Sequence, residues 1–313
     1  MSSAIPLLVL CPLQAEYMQQ FRDRFETIEA GDDARRAQAI AEHGPRIRAV
    51  LTIGTIGLTA LEIAALPALE VVHTLGVGYE QVDVAAAKSR GIAVANAAGS
   101  IATCVADHAF GLLLAAVRGI VQMDVGVRSG LWRDQLSVYT PTVSGKRMGL
   151  LGMGDIGKQI AKRAAGFDMP VGYHSRSAKP ELPHRYFDSV RALAEWADYL
   201  VVATPGGAET RHLVNAEVLQ ALGPKGTLVN IARGSVVDTA ALATALRAGH
   251  IASAGIDVYE SEPAPPAELL DIANVVITPH IAGRSPEAIQ GSVTLVLDNL
   301  EAFFAGRPMP TLL

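Results

Sequence analysis

The sequence is poor in cysteine. Only Cys11 and Cys104 occur in 313 residues, each inside a predicted buried element and with no spacing motif between them. A disulfide framework is thereby excluded, neither thiol is a candidate nucleophile, and the pattern suits a reducing compartment. Clustered basic charge is also missing. The formal net charge is -5 and Lys and Arg are scattered, which leaves no electrostatic footprint for nucleic acid, so an anionic ligand must be held by local groups. No long apolar run is present. Ile5–Cys11 is too short and has no basic flank for a signal peptide or anchor, while Ile101–Val117 is broken by Asp107, His108 and Gly111 and reads as a buried helix. Histidines and acids nowhere adopt metal-ligand spacing, so no metal is expected. Repeats, low-complexity tracts and long linkers are absent too. A soluble, cytoplasmic protein without membrane or nucleic-acid partners is expected.

What is present is apolar residue in quantity: half the chain is hydrophobic, and the length exceeds that of one compact domain. The first hundred residues alternate strand-like runs (IPLLVL, AVLTI, LEVVHTL, IAVANA) with helical patterns at 15–25, 33–43, 59–65 and 83–90. A helix at 101–118 follows, then a polar loop through Trp132 and Tyr139. A second alternation places strands at 147–152, 170–174, 199–204, 227–231, 253–258 and 275–279, with helices such as 155–166, 189–197 and 238–248. The expected class is α/β: two Rossmann-like or flavodoxin-like parallel-sheet domains with a cleft between them. The last helix, 286–305, is expected to cross back onto the first domain, giving 1–99 plus 287–313 as substrate domain and 100–286 as dinucleotide domain.

Gly152, Gly154 and Gly157 in GLLGMGDIGKQIA have G-x-G-x-x-G spacing directly after an apolar strand and at the start of an amphipathic helix. Glycine at these places permits the tight turn, backbone approach to a pyrophosphate and close helix–strand packing. The phosphates then sit on the helix N-terminus around Asp155 and Ile156. Where a carboxylate would bind the ribose 2′-hydroxyl, the second strand ends instead in Ser175, Arg176 and Ser177. A guanidinium flanked by hydroxyls suits a 2′-phosphate, so NADP(H) is expected as preferred cofactor with NAD(H) possible. Arg176 has an alternative as a solvated surface residue.

Three later strand ends carry Arg233 in NIARGSVVD, Asp257 and Glu262 in GIDVYESEP, and His280 in TPHIAG. In open α/β sheets such ends gather at one crevice. Arg233 can grip a carboxylate and polarise an adjacent keto oxygen, His280 can give that oxygen a proton, and Glu262 can orient the imidazole and favour its charged form. Singly, each has an ordinary explanation as a turn, surface or capping residue. Together, behind a dinucleotide fingerprint, they point to hydride transfer on a small keto acid. The Gly76, Val77 and Gly78 amides form either an anion-binding nest or simple turn chemistry, and Trp132 either walls the cleft or packs for its area. The other histidines, His108 and His174 among them, are expected to be structural or exposed.

These segments, with VGYEQVD, TCVADHAFGLLLA and VVATPGGAETRHLVN, resemble the D-isomer-specific 2-hydroxyacid dehydrogenases over nearly the whole chain. The HSRSAKP stretch is most similar to glyoxylate/hydroxypyruvate and hydroxyphenylpyruvate reductases. The resemblance implies NAD(P)H-dependent reduction of a 2-keto acid to the D-2-hydroxy acid, with Arg233, Glu262 and His280 as substrate arginine, supporting acid and acid/base. It implies cofactor contacts from Thr103, Thr204, Pro205, Thr210, Ile231, Ala232, Asp257 and Gly283, and substrate contacts from Ile53, Gly54, Val77 and Gly78. It implies a homodimer built through the cofactor domain and the region 101–140, and the end at Leu313 leads to the expectation of no added regulatory domain. Two positions depart from the family pattern: Asp155 stands where a basic residue is common and Asp107 where glutamate is frequent. Aromatic-keto-acid or 2-ketogluconate reduction, a formate- or phosphonate-type dehydrogenase and a non-enzymatic cofactor-sensing corepressor are the alternatives. Glu262 beside His280 argues against the formate type, and the intact triad argues against the corepressor.

Overall fold

The computed structural model describes residues 4–136 and 140–313, so Tyr139 and the first three residues of the N-terminal stretch lie outside the described residues. The chain forms two compact units, one of Met1–Ile101 with Ser285–Leu313, the other of Ala102–Arg284.

The first unit runs β1 (Pro6–Val9), α1 (Ala15–Arg22), β2 (Glu26–Glu29), α2 (Asp33–His43), β3 (Ala49–Thr52), α3 (Ala60–Ala64), β4 (Val71–Thr74), α4 (Val84–Ser89) and β5 (Ala93–Ala95). Its strands are all parallel in the order β2-β1-β3-β4-β5, which is the flavodoxin-like arrangement. Strands β3 and β4 are buried along their whole length, as a sheet covered by helices on both faces requires. Asp32, Thr59 and Asp83 cap their helices by accepting backbone N–H groups, and Thr59 forms a capping box with Glu62.

The second unit contains α5 (Ala102–Arg118), α6 (Ile120–Arg128), α7 (Arg133–Leu136), β6 (Met148–Leu151), α8 (Asp155–Ala165), β7 (Val171–His174), β8 (Arg185–Tyr186), α9 (Val190–Trp196), β9 (Tyr199–Val202), α10 (Ala216–Leu222), β10 (Thr227–Asn230), α11 (Thr239–Arg247), β11 (Ser253–Ile256) and β12 (Val275–Ile277). The order β12-β11-β10-β9-β6-β7-β8, again parallel, places the topological switch between β6 and β9, where ligands of this architecture bind. The final helix α12 (Pro286–Phe304), started by the Ser285 cap and Pro286, returns to the first unit. There Val293, Val296, Leu297 and Leu300 join Leu7, Val9, Leu51 and Val71 in one core. No single helix among the described residues is long and apolar enough to cross a membrane.

Three features correct the sequence reading. Strand β2, ETIE, has no buried position; it pairs only with β1 at the sheet edge, and such a strand shows none of the hydrophobic pattern that marks central ones. The two-residue edge strand β8 was missed for the same reason. The predicted polar loop after Arg118 is largely helical: Gly119, at φ 59°, ends α5, and the chain bends by 63° into α6. That helix leaves Ile120, Val121, Val125 and Val127 exposed, so these apolar positions do not mark a buried face.

Because Leu300 is wholly buried in the core shared by α12 and β1, Leu300→Ala is expected to destabilise the protein by about 2–5 kcal/mol. The midpoint of chemical denaturation measures this; a midpoint equal to that of the parent protein would contradict the packing described.

Candidate active site

In the second unit the turn after β6 is shaped by its glycines. Gly152 adopts φ 108°, and a Cβ there would lie 2.6 Å from the Ala203 carbonyl oxygen; one on Gly157 would overlap the Gly152 carbonyl. Gly154, in contrast, is exposed with open space where a Cβ would stand. It is also the N-cap of α8, with no capping side chain, whereas Ser189, Asn215 and Asp238 cap α9, α10 and α11. The leading N–H groups of α8, at Asp155, Ile156 and Gly157, thus meet no capping side chain at a helix start next to open space. These residues fit a dinucleotide pyrophosphate. At the end of β7 the Ser175 hydroxyl donates to the Ser177 carbonyl at 2.8 Å, and Arg176 is exposed. Thr204 and Pro205 follow β9, and the Thr210 hydroxyl donates to the Gly207 carbonyl at 3.2 Å. Thr103 lies exposed in the first turn of α5, its carbonyl accepting from Arg163 at 3.2 Å.

Arg233 leaves the end of β10 through a locked turn. The fully buried Asn230 amide donates to the Arg233 carbonyl and accepts the Ala232 N–H, both at 3.1 Å. Ile231 and Ala232 are buried. Arg233 itself donates to the Ala232 carbonyl at 2.6 Å. Gly206 makes room for its stem, since a Cβ there would stand 2.8 Å from Arg233 Cγ.

His280 occupies the left-handed region, φ 52°, a conformation that costs a non-glycine residue about 1–3 kcal/mol and must be held by its surroundings. Its N–H donates to the Asp257 carbonyl at 2.8 Å. The fully buried Asp257 carboxylate accepts from the Thr278 hydroxyl at 2.6 Å and from the N–H groups of Ile281 and Ala282 at 3.0 and 2.9 Å. Burial alone would raise this carboxyl, but the hydrogen bonds from His108, Thr278, Ile281 and Ala282 outweigh it and hold the group below its usual range. Gly283 continues the same turn.

The His280 Nδ1 and Glu262 Oε2 are 2.7 Å apart. Burial pushes the Glu262 carboxyl up, yet the His280 hydrogen bond, the Tyr259 N–H and the charges of His280 and Arg233 pull it down further, so it stays ionised through the neutral range. An ionised carboxylate only accepts, so Nδ1 carries the proton and Nε2 is the nitrogen left for proton exchange. The imidazole is 36% exposed, the carboxylate 27%: the pair is oriented without being sealed off.

In the first unit, the segments at Ile53–Gly54 and Val77–Gly78 lie against each other, a Cβ on Gly54 falling 2.7 Å from the Gly78 carbonyl. The Asn96 amide donates to the Val77 carbonyl at 2.8 Å, which fixes that loop. His73 is buried and pushed down to about 4 by desolvation, so it is neutral. Burial pushes the Cys11 thiol up to about 12, and Cys104 donates to the Ala282 carbonyl at 3.0 Å.

Sequence reasoning missed two site neighbours. His108, assigned a structural or exposed place, lies 3.0 Å from the Thr278 hydroxyl and 3.5 Å from Asp257. Tyr259 sits inside the GIDVYESEP motif between the two acids already singled out; a tyrosine there, needing a partner for its hydroxyl, was the available signal.

Residues 110–282 match the family D-isomer specific 2-hydroxyacid dehydrogenase, NAD binding domain. The chain is 41% identical over 308 residues to a hydroxyphenylpyruvate reductase of Plectranthus scutellarioides and 38% identical over 308 residues to a glyoxylate/hydroxypyruvate reductase of Arabidopsis thaliana, with 98% of each chain covered. Its fold superposes with a TM-score of 0.91 on an NADPH-dependent glyoxylate/hydroxypyruvate reductase from Sinorhizobium meliloti solved with NADP and malonate, at 37% identity over 99% of this chain and 97% of that one. A 2-hydroxyacid dehydrogenase from Ketogulonicigenium vulgare gives 0.90 at 38% identity, covering 99% and 98%. With matches of this length and identity behind the fold and the site, the chain belongs to the D-isomer-specific 2-hydroxyacid dehydrogenase family.

Proposed function

We propose that the protein reduces a small 2-keto acid of the glyoxylate/hydroxypyruvate type to the D-2-hydroxy acid, with NADPH as preferred reductant. The observation that carries this reading is the hydrogen-bonded Glu262–His280 dyad, reached by the Arg233 charge, in the unit that also holds the glycine fingerprint. A bound nicotinamide supplies the hydride. Arg233 binds the substrate carboxylate and polarises the keto oxygen, and His280 Nε2 donates a proton to that oxygen. Glu262 keeps the imidazole in the tautomer and charge state the transfer needs. On the first unit, the Val77 and Gly78 amides, with Ile53 and Gly54, are the proposed substrate contacts. Aromatic keto acids are the second reading, favoured by the 41% identity to the hydroxyphenylpyruvate reductase.

The catalytic assignment is tested with glyoxylate, hydroxypyruvate and hydroxyphenylpyruvate as substrates. Arg233→Ala is expected to lower kcat/KM about a hundredfold or more, with KM raised and kcat lowered together. His280→Ala should nearly abolish turnover and leave NADPH binding intact. The support given by ionised Glu262 is present above its lowered titration range and is lost as pH falls through it. In Glu262→Gln that support is absent throughout, so the alkaline limb of the reduction profile moves down by a fraction of a unit to about two units. An active His280→Ala with an unmoved limb in Glu262→Gln would refute the assignment.

The cofactor preference rests on Ser175, Arg176 and Ser177 at the end of β7. We expect kcat/KM several-fold higher with NADPH than with NADH, and Arg176→Ala to narrow the gap. A parent enzyme that prefers NADH would overturn this.

We further infer a homodimer working in the cytoplasm. Ile120, Val121, Val125 and Val127 are all exposed on the short helix α6, a concentration of apolar side chains that suits a partner surface, and the free Cys11 and Cys104 fit a reducing compartment. Sedimentation equilibrium should report two chains for the parent protein and one for Val125→Asp; a monomeric parent would overturn the dimer.

A further inference from the structure

Tyr259 touches all three loops that carry Arg233, Glu262 and His280. Its N–H donates at 2.8 Å to Glu262 Oε1, the carboxylate oxygen turned away from His280. Its carbonyl fills the space where a side chain on Gly234 would stand, so the residue after Arg233 is pressed against it. Its hydroxyl lies 2.8 Å from the Ile256 carbonyl, at the end of β11, and 2.7 Å from the Thr278 carbonyl, two residues before His280. A single phenolic proton serves both carbonyls in a three-centre bond.

We infer that Tyr259 is a positioning residue for the reaction, which sets the distance and angle between Glu262 and His280 without touching substrate. The inference rests on the assignment of that pair to proton transfer. The hydroxyl is not needed to satisfy the backbone. The Ile256 carbonyl already accepts the Thr278 N–H at 2.9 Å, and the Thr278 carbonyl already accepts the His280 N–H at 3.1 Å. What the hydroxyl adds is a tie between the strand that leads to Glu262 and the turn that bears His280. Burial, against the opposing bond to Thr278 and with the charges of Asp257 and Glu262, pushes the phenol above its ordinary range. It therefore remains a protonated donor through the neutral range.

The test compares Tyr259→Phe with the parent enzyme, Glu262→Gln and His280→Ala, using glyoxylate and NADPH. Phenylalanine keeps the ring, and both carbonyls keep a partner, so the variant should fold; unchanged NADPH binding checks this without reference to turnover. The expected result is KM for glyoxylate and Kd for NADPH within about twofold of the parent, kcat lower by about five- to thirtyfold, and an alkaline limb displaced toward that of Glu262→Gln. If kcat and the pH profile match the parent while only the melting temperature falls, Tyr259 is structural and the inference is wrong. If KM rises with kcat unchanged, the residue belongs to substrate binding and the inference is equally wrong. An active His280→Ala would instead overturn the proton-transfer assignment, and the role of Tyr259 with it.

Discussion

A carboxylate with no exposed surface must be given donors or lose its charge, and the consequences of that requirement at Asp257 run through the catalytic unit. The donors come from Thr278, Ile281 and Ala282, all in the turn after β12. Satisfying the carboxylate therefore folds that turn back over the end of β11, and His280, between the donors, is driven into a left-handed backbone that it would not adopt alone. The same residue's carbonyl holds the His280 N–H. Remove the carboxylate at position 257 and the turn loses three of its ties at once; the orientation of the imidazole is thus a by-product of burying an acid.

Much of this was legible in the sequence because parallel sheets announce themselves. Fully buried strands such as AVLT and TLVN are short apolar runs, and α2, α3, α4, α9, α10 and α11 begin at Asp, Ser, Thr or Asn caps. The glycine fingerprint was legible because Gly152 and Gly157 answer steric demands that no other residue meets, while Gly154 leaves the start of α8 open. Edge strands β2 and β8 were not, since an edge needs no hydrophobic pattern. The helix α6 was not, because four of its apolar residues are exposed and the break at Gly119 depends on a single left-handed residue.

At the site, residue types suggested the chemistry but not the mutual distances. Arg233, Glu262 and His280 stand out as strand-end residues, whereas the pairing of Nδ1 with Oε2 depends on how two loops meet in space. The supporting groups Asn230, His108 and Tyr259 are harder still to read. Their value comes from which carbonyl or carboxylate lies within about 3 Å of them, and that is settled only when the loops are packed.

The path of the chain between its two units has a consequence for how the protein is made. The five-stranded sheet is complete by Ala95, yet one face of its core awaits Val293, Val296, Leu297 and Leu300, and β5 awaits the bond from the Leu313 N–H to the Val94 carbonyl. Between them the ribosome delivers the whole of Ala102–Arg284, a unit with a core cluster formed from residues inside that span. Synthesis from the N-terminus thus reverses the usual order, in which the first domain made is the first to fold. The inserted unit can reach its native state while β1, β3 and β4 still expose an apolar face, and strands made before that unit are enclosed after it.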